Sequence, residues 1–363
     1  MTDARATAGD TRSLVQLCGG YFGAYVLTGV LVKYFTSLRE VPMSDMAYLV
    51  NNTLGSNLFA LLVIVAAGWI RLRSNQMRRL GPFTVPSEIV YIIPSGICTA
   101  VVIPTTTLMY SLPMSVMVAM VIMRGSVIVI SRAVDAIQIR QGILKKQVYP
   151  EENWAVVFAL LAVATNVVLI PIAELVGLDI GAPDDAFAFI ESPFALVVMG
   201  LYISAYAIRI YVMNYFKNTR GKGVPLDNKG FFAIEQLAAT VTMVVVVAIV
   251  MASGSSDPRV VELDRAVKGL DPVAILAGVP YGAVAFFSVF IFMFKGRTAT
   301  FAGLVNRLTS LLGGVAATLL LAGIFGLPWP SLQDWISVLF IGISVAFLAR
   351  AERRRTAELH AHG

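Results

Sequence analysis

Charge is scarce in this sequence: Asp, Glu, Lys and Arg together make up 14% of its 363 residues, while 57% are hydrophobic. A soluble domain carries about a quarter charged residues, so the chain cannot cover a water-facing surface in the usual way. Cysteine is nearly absent. Cys18 and Cys98 both lie inside apolar runs, which excludes a disulfide framework and a metal site built on cysteine spacing and leaves them as packing residues. Only two histidines occur, His360 and His362, both in the polar tail. There is accordingly no His-Glu-x-x-His helix, and no Gly-Lys-Ser/Thr phosphate loop is present either. The chain reads as no enzyme and implies no cofactor. The first twelve residues, MTDARATAGDTR, lack the short apolar core and small-residue cleavage site of a signal peptide, so the first apolar segment is expected to stay in the mature protein.

What the chain does have is long apolar runs of roughly twenty residues, the length that crosses a hydrocarbon core about 30 Å thick. They lie near 14–35, 53–72, 84–109, 113–132, 153–175, 193–216, 229–252, 272–295, 299–324 and 333–350. The expected fold is an all-α integral membrane protein of ten transmembrane helices. Twenty of the 28 lysines and arginines fall in alternate connections, from Arg5 and Arg12 through Arg71, Arg132, Lys217 and Lys295 to Arg355. Four (Arg39, Arg259, Arg265 and Lys268) fall in the opposite set, and basic residues are retained inside. Both termini are therefore expected in the cytoplasm, and the +6 charge belongs to loops and not to a nucleic-acid surface. The acidic stretch 176–192 fits the outer face.

An internal repeat organises the spans. GYFGAYVLTGVLVKYF (Gly20 to Phe35) aligns without a gap with LYISAYAIRIYVMNYF (Leu201 to Phe216), pairing Tyr21 with Tyr202, Tyr25 with Tyr206 and Phe35 with Phe216 at an offset of 181 residues. Pro94-Ser95-Gly96 echoes Pro280-Tyr281-Gly282 at nearly the same offset. Five spans, an odd number, separate the copies, so the halves must insert in opposite orientation, the inverted-repeat plan of many secondary transporters. The expected domains are a tail, 1–13; a first five-helix repeat, 14–175; a joining outer loop, 176–192; a second repeat, 193–350; and a tail, 351–363.

An ionisable side chain in the bilayer costs at least about 2.5 kcal/mol by insertion scales, so each one is a functional hypothesis. Arg124 lies about eleven residues into the fourth span and Arg307 about eight into the ninth, too deep to snorkel. The two spans are equivalent in the repeat. A two-fold axis would bring both arginines toward a central cavity, where the guanidinium fork suits carboxylate or phosphate. The bland alternative is that each pairs with a buried carboxylate or with helix-end carbonyls and holds the bundle together. Arg209 and Glu235, at similar depth on adjacent spans, read as a structural ion pair, and Lys33 as a snorkelling residue. Tyr21, Tyr25, Tyr202, Tyr206, Tyr281, Asn57 and Asn306 are candidate cavity walls, along with Thr105 to Thr107, Thr165, Asn166, Ser288, Thr309 and Ser310. Pro94, Pro104 and Pro280 are candidate kinks or gates. Gly19-x-x-x-Gly23 reads as close helix packing. The sequon Asn51-Asn52-Thr53 lies too near the membrane to be counted as a glycosylation site.

Ten spans in a five-plus-five repeat with cytoplasmic termini resemble the drug/metabolite transporter superfamily, which includes the EamA-type exporters and the nucleotide-sugar transporters. Locally, MVAMVIMRGSVIVIS (Met117 to Ser131) and VNRLTSLL (Val305 to Leu312) are similar to the fourth- and ninth-helix segments of the nucleotide-sugar-transporter-like branch. The resemblance implies alternating access around a cavity bordered by Arg124 and Arg307. The chain is longer than the family's usual length, with polar tails and an extended loop from Ser253 to Asp271, and lacks the signature strings of well-defined nucleotide-sugar carriers. The expectation is a gradient-driven carrier or exchanger for a small organic anion or a phosphate- or carboxylate-bearing metabolite, in a bacterial inner (plasma) membrane. Its partners would be a small anionic substrate and membrane lipid, no nucleic acid, with room for a homodimer. A lipid or lipid-linked-sugar flippase and a non-transporting scaffold are the alternatives.

Overall fold

The structure, a computed structural model, describes residues 11–110, 116–145, 148–175, 192–327, 329–330 and 332–361. The joining loop 176–191 and the outermost tails lie outside them. The helices follow the apolar runs: α1 (Thr11–Lys33), α2 (Asp45–Ala66), α3 (Ile89–Tyr110), α4 (Val116–Arg140), α5 (Pro150–Leu175), α6 (Pro193–Asn218), α7 (Asn228–Ala252), α8 (Pro258–Lys268), α9 (Pro272–Leu276), α10 (Val279–Phe292), α11 (Ala299–Phe325) and α12 (Leu332–Ala361). Their starts are set by local chemistry. Ser44, Ser192, Asp227, Asp271 and Thr298 each accept a hydrogen bond from the first turn of the helix that follows. Gly326, at φ +67°, closes α11 in the left-handed region that favours glycine.

Among the described residues, eight segments are long and apolar enough to cross a membrane: α1 with its terminal π-turn (Tyr34–Leu38), α2, α3, α6, α7, the α9–α10 run, α11 and α12. Their outward faces are apolar too. Leu62, Val65, Val244, Ile249 and Leu339 are all more than half exposed, which a lipid solvent tolerates and water does not. The chain is thus an all-α membrane protein in its main body. α4, with Arg124, Arg132, Asp135 and Arg140, and α5, which opens on Glu151 and Glu152, also follow apolar runs, but the side chains of 116–122 and 166–175 lie outside the described residues, so neither is counted among the eight.

Three local expectations change. A short antiparallel hairpin, β1 (Met77–Leu80) with β2 (Phe83–Pro86), turns at Gly81 (φ +61°) in the connection before α3, a segment too short to show strand periodicity. The run 272–295 is not one kinked helix. It breaks at Ala277–Gly278, and Pro280 sits in the first turn of α10, where its missing N–H costs nothing. Pro94 and Pro104 do lie inside α3. Gly19 and Gly23 face open space, and it is Gly20 that a neighbour, Phe287, crowds.

α3 packs on α6 and α7; α10 packs on α1 and α2; α1 meets α11, and α6 meets α4; α5 lies along α12, and α4 along α11. Glycines permit two of these crossings. A Cβ on Gly96 of α3 would fall 2.5 Å from the Glu235 carbonyl oxygen of α7, and one on Gly282 of α10 would fall 2.7 Å from the Ser56 carbonyl oxygen of α2.

The end of the bundle that gathers the start of α1 and the end of α12 is tied by buried charge. Arg355 donates to Glu152 Oε1 (2.5 Å) and Thr298 to Glu152 Oε2 (2.8 Å), while Arg297 pairs with Glu352. Asp135 of α4, fully buried, accepts from the backbone N–H groups of Ala299 (2.8 Å) and Thr300 (2.6 Å) and from the Thr300 hydroxyl (2.6 Å). It neutralises the positive end of α11. Asp135→Ala strands these donors in a dry site, at about 1–3 kcal/mol for each unsatisfied group. The expected result is a clear fall in the thermal unfolding midpoint in detergent, with Asp135→Asn intermediate.

Candidate functional site

Helices α1, α2, α3, α4, α6, α7, α10 and α11 enclose a cavity of about 130 Å³ at mid-bundle. That is smaller than the roughly 300–1,000 Å³ of a drug-sized pocket, a volume for a small metabolite or for a site closed around one. Of the sequence-nominated residues, the cavity is lined by Arg124, Arg307, Tyr21, Tyr25, Tyr202, Tyr206, Tyr281 and Asn306, together with Thr106 and Ser288. Arg209 lines it as well.

The tyrosines come as two similar pairs. The Tyr21 and Tyr25 rings lie 5.8 Å apart, those of Tyr202 and Tyr206 4.9 Å apart. Tyr21 donates to Asn306 Oδ1 of α11 (3.5 Å), and Tyr202 donates to the Met123 carbonyl oxygen of α4 (3.2 Å). Asn306 in turn donates to Ser288 Oγ (3.0 Å). Each first-of-pair tyrosine therefore holds the residue just before one of the two arginines.

The arginines differ in their partners. Arg209 of α6 is bound through Nε to Glu235 Oε1 (2.9 Å) and through Nη2 to Oε2 (3.2 Å), the fork-to-fork geometry of a bidentate pair. Arg307 lies over the Tyr206 ring, 5.1 Å from its centroid, and its Nε is buried without a hydrogen-bond acceptor. Among the described residues, neither Arg307 nor Arg124 meets a carboxylate. The cavity wall thus carries three guanidinium groups, one of which is neutralised.

Other nominated residues stand elsewhere. Asn57 is buried behind the wall, where its Oδ1 accepts from Gln236 Nε2 (2.7 Å) and Thr240 Oγ1 (2.7 Å). Ser310 and Thr165 bond back to their own helices, at Arg307 and Leu161. Pro94, Pro104 and Pro280 do not line the cavity, although Tyr281 and Gly282, just after Pro280, do. The side chains of Asn166 and Thr107 lie outside the described residues. Residues the sequence did not single out also line it, among them Gln236, Thr99, Ser56 and Phe232. Gln236 had a signal, since it stands near the repeat position of Asn57.

No family model matches the chain, and no curated protein matches it. Among the solved structures that share its fold is one described as "Crystal structure of protein", with a TM-score of 0.54 over 94% of this chain and 98% of its own, at 18% identity. At that identity the likeness speaks for the fold alone.

Proposed function

We propose that this chain is a gradient-driven membrane carrier or exchanger for a small organic anion, working by alternating access in the manner of the drug/metabolite transporters. The observation that carries the reading is a mid-bundle cavity onto which Arg124 and Arg307 face without a carboxylate partner among the described residues, one of them with a buried, unsatisfied Nε. A cation in a dry site without a counter-charge is costly, and an anion that accepts from it offsets that cost. A scaffold would neutralise both arginines with its own carboxylates and fill the space between them.

Ten spans in two inverted five-helix repeats remain our reading, with both termini cytoplasmic, and the packing supports it. Exchanging each helix of the first five with its counterpart in the second five, α9–α10 counting as one, turns the α3–α6 and α3–α7 contacts into α10–α1 and α10–α2. It also turns α1–α11 into α6–α4 and leaves α5–α12 and α4–α11 in place. The glycine crossings at Gly96 and Gly282, and the tyrosine bonds to Met123 and Asn306, exchange in the same way.

The test is flux in proteoliposomes. Counterflow of labelled succinate, inorganic phosphate or a sugar phosphate should be saturable and inhibited by the unlabelled anion, with no flux of a matched organic cation. Absence of flux for every anion, with the cation carried instead, would overturn the assignment.

A further inference from the structure

The cavity's one neutralised cation leads further. Glu235 is 2% exposed and stands directly behind the wall formed by Arg209. Besides the Arg209 fork, its Oε1 accepts from Ser95 Oγ (2.7 Å) and Thr99 Oγ1 (3.3 Å), both on α3, and Thr99 itself lines the cavity. Among the described residues it is the one carboxylate in contact with a cavity-lining cation. The remaining groups around it are the Cys98 thiol of α3, the Tyr206 phenol of α6 and, beyond Arg209, the Arg307 guanidinium of α11. α2 presents only the neutral Asn57, through Gln236.

We propose that Glu235 is a proton-binding site that couples proton movement to anion movement through Arg209. This rests on the reading of the cavity as an anion site. When Glu235 is ionised, Arg209 is satisfied by it, and the carboxylate's charge stands one guanidinium away from any anion in the cavity. When Glu235 takes up one proton at a carboxylate oxygen, that repulsion ends, the ion pair becomes a neutral acid beside a free guanidinium, and Arg209 can turn its N–H groups to the anion. Ser95 and Thr99 remain beside the acid, their hydroxyls able either to donate to it or to accept its proton. Proton and anion therefore bind with positive cooperativity, and by linkage each raises the affinity for the other by the same factor. A carrier that crosses only when both are bound, or when neither is, moves one proton with each anion.

The arrangement also places the pH response. Glu88 and Asp271, the carboxylates paired with arginine in the connections before α3 and α9, are held below the ordinary range. Burial raises the Glu88 carboxyl, but the Asn75 N–H and the Ser74 and Ser87 hydroxyls outweigh it. At Asp271 the Arg39 hydrogen bond dominates. Glu152 at the start of α5, by contrast, is raised by burial against the opposing effect of Arg355 and Thr298, so a response near neutrality belongs to the cavity only where Glu235→Gln removes it.

Two readouts test this. Purified wild-type protein in weakly buffered detergent, given succinate at about pH 7, where both of its carboxylates are ionised, should take up close to one proton per bound succinate. Proteoliposomes with an inward proton gradient should accumulate succinate against its own gradient. Glu235→Gln, which mimics the protonated acid, should keep succinate counterflow, lose proton uptake and lose proton-driven accumulation. Glu235→Asp, which keeps a titratable group, should retain both in weaker form and shows whether the site survives substitution. Succinate binding without proton uptake in the wild type, or proton-driven accumulation that persists in Glu235→Gln, would overturn the coupling while leaving the carrier reading intact. Absence of anion flux altogether would overturn both.

Discussion

Arg307→Ala and Arg124→Ala are each expected to weaken anion transport by about ten- to a hundredfold, chiefly through apparent affinity. A hydrogen bond to a charged group contributes about 1.5–3 kcal/mol, and 1.4 kcal/mol is tenfold. If both arginines grip one anion, the double variant should lose less than the product of the two single losses, because neighbours on one ligand are not additive. Arg307→Lys should recover only part of the activity: ammonium keeps the charge but loses the fork and the stacking on Tyr206. Stability separates this reading from a structural one. Neither arginine meets a carboxylate among the described residues, so removing it leaves no buried counter-charge, and the unfolding midpoint should hold or rise. Arg209→Ala should do the opposite, because it strands Glu235, and breaking a buried pair from one side costs about 3–5 kcal/mol. Wild-type transport in both folded single variants, or a marked loss of stability in Arg124→Ala and Arg307→Ala, would count against the anion site.

Much of this was legible in the sequence because the membrane simplifies the code. Apolar length marks a helix, and a charge inside it marks a place where lipid is not the neighbour. That logic reached Arg124, Arg307, Arg209 and Glu235, and the repeat reached the tyrosines. It did not reach Thr99, Ser56 or Gln236, since one polar residue in an apolar helix has no period to show which side it faces. It divided Asn57 from Gln236 wrongly: both belong to one hydrogen-bonded pair, and a small difference in helix rotation decides which meets the cavity. Arg209 was read as the partner of Glu235 in an ion pair, which the structure has, and a side chain long enough to make that pair also reaches the wall. The break at Ala277–Gly278 was invisible because it is made by close packing, with Gly278 against the Asn52 carbonyl oxygen of α2, and not by Pro280.

A last expectation concerns how the cavity opens, and it comes from carrying the tyrosine alignment a few residues further. At the same offset of 181 residues, Arg39 corresponds to Arg220. Arg39 follows α1, lies 5.6 Å from the centroid of Phe35 and pairs with Asp271 before α9 (2.6 Å). Arg220 follows α6, lies 4.5 Å from the centroid of Phe216 and pairs with Glu88 before α3 (2.8 Å). The two bridges stand at opposite ends of the bundle, and each joins the first five helices to the second. Two matched clasps at opposite ends are what alternating access needs, one released while the other holds. They are unequal in this structure: the Arg220 and Glu88 side chains are 7% and 1% exposed, those of Arg39 and Asp271 38% and 22%. An exposed pair holds weakly and a buried one strongly when broken from one side. Arg220→Ala should therefore raise access to the cavity from its own end about tenfold or more, and Arg39→Ala should raise access from the other end only a few-fold. Both carboxylates have depressed pKa values, so the clasps hold above the ordinary carboxylate range and loosen only as pH falls through the lowered values. Mild acidification alone should open neither. A single cysteine at Ser288, on the cavity wall, in a chain with Cys18 and Cys98 replaced by serine, would report access through its rate of labelling by an impermeant maleimide added from either side. Equal labelling of both variants from both sides would mean that the bridges only brace the bundle; opposite asymmetries would make them the two gates of one carrier.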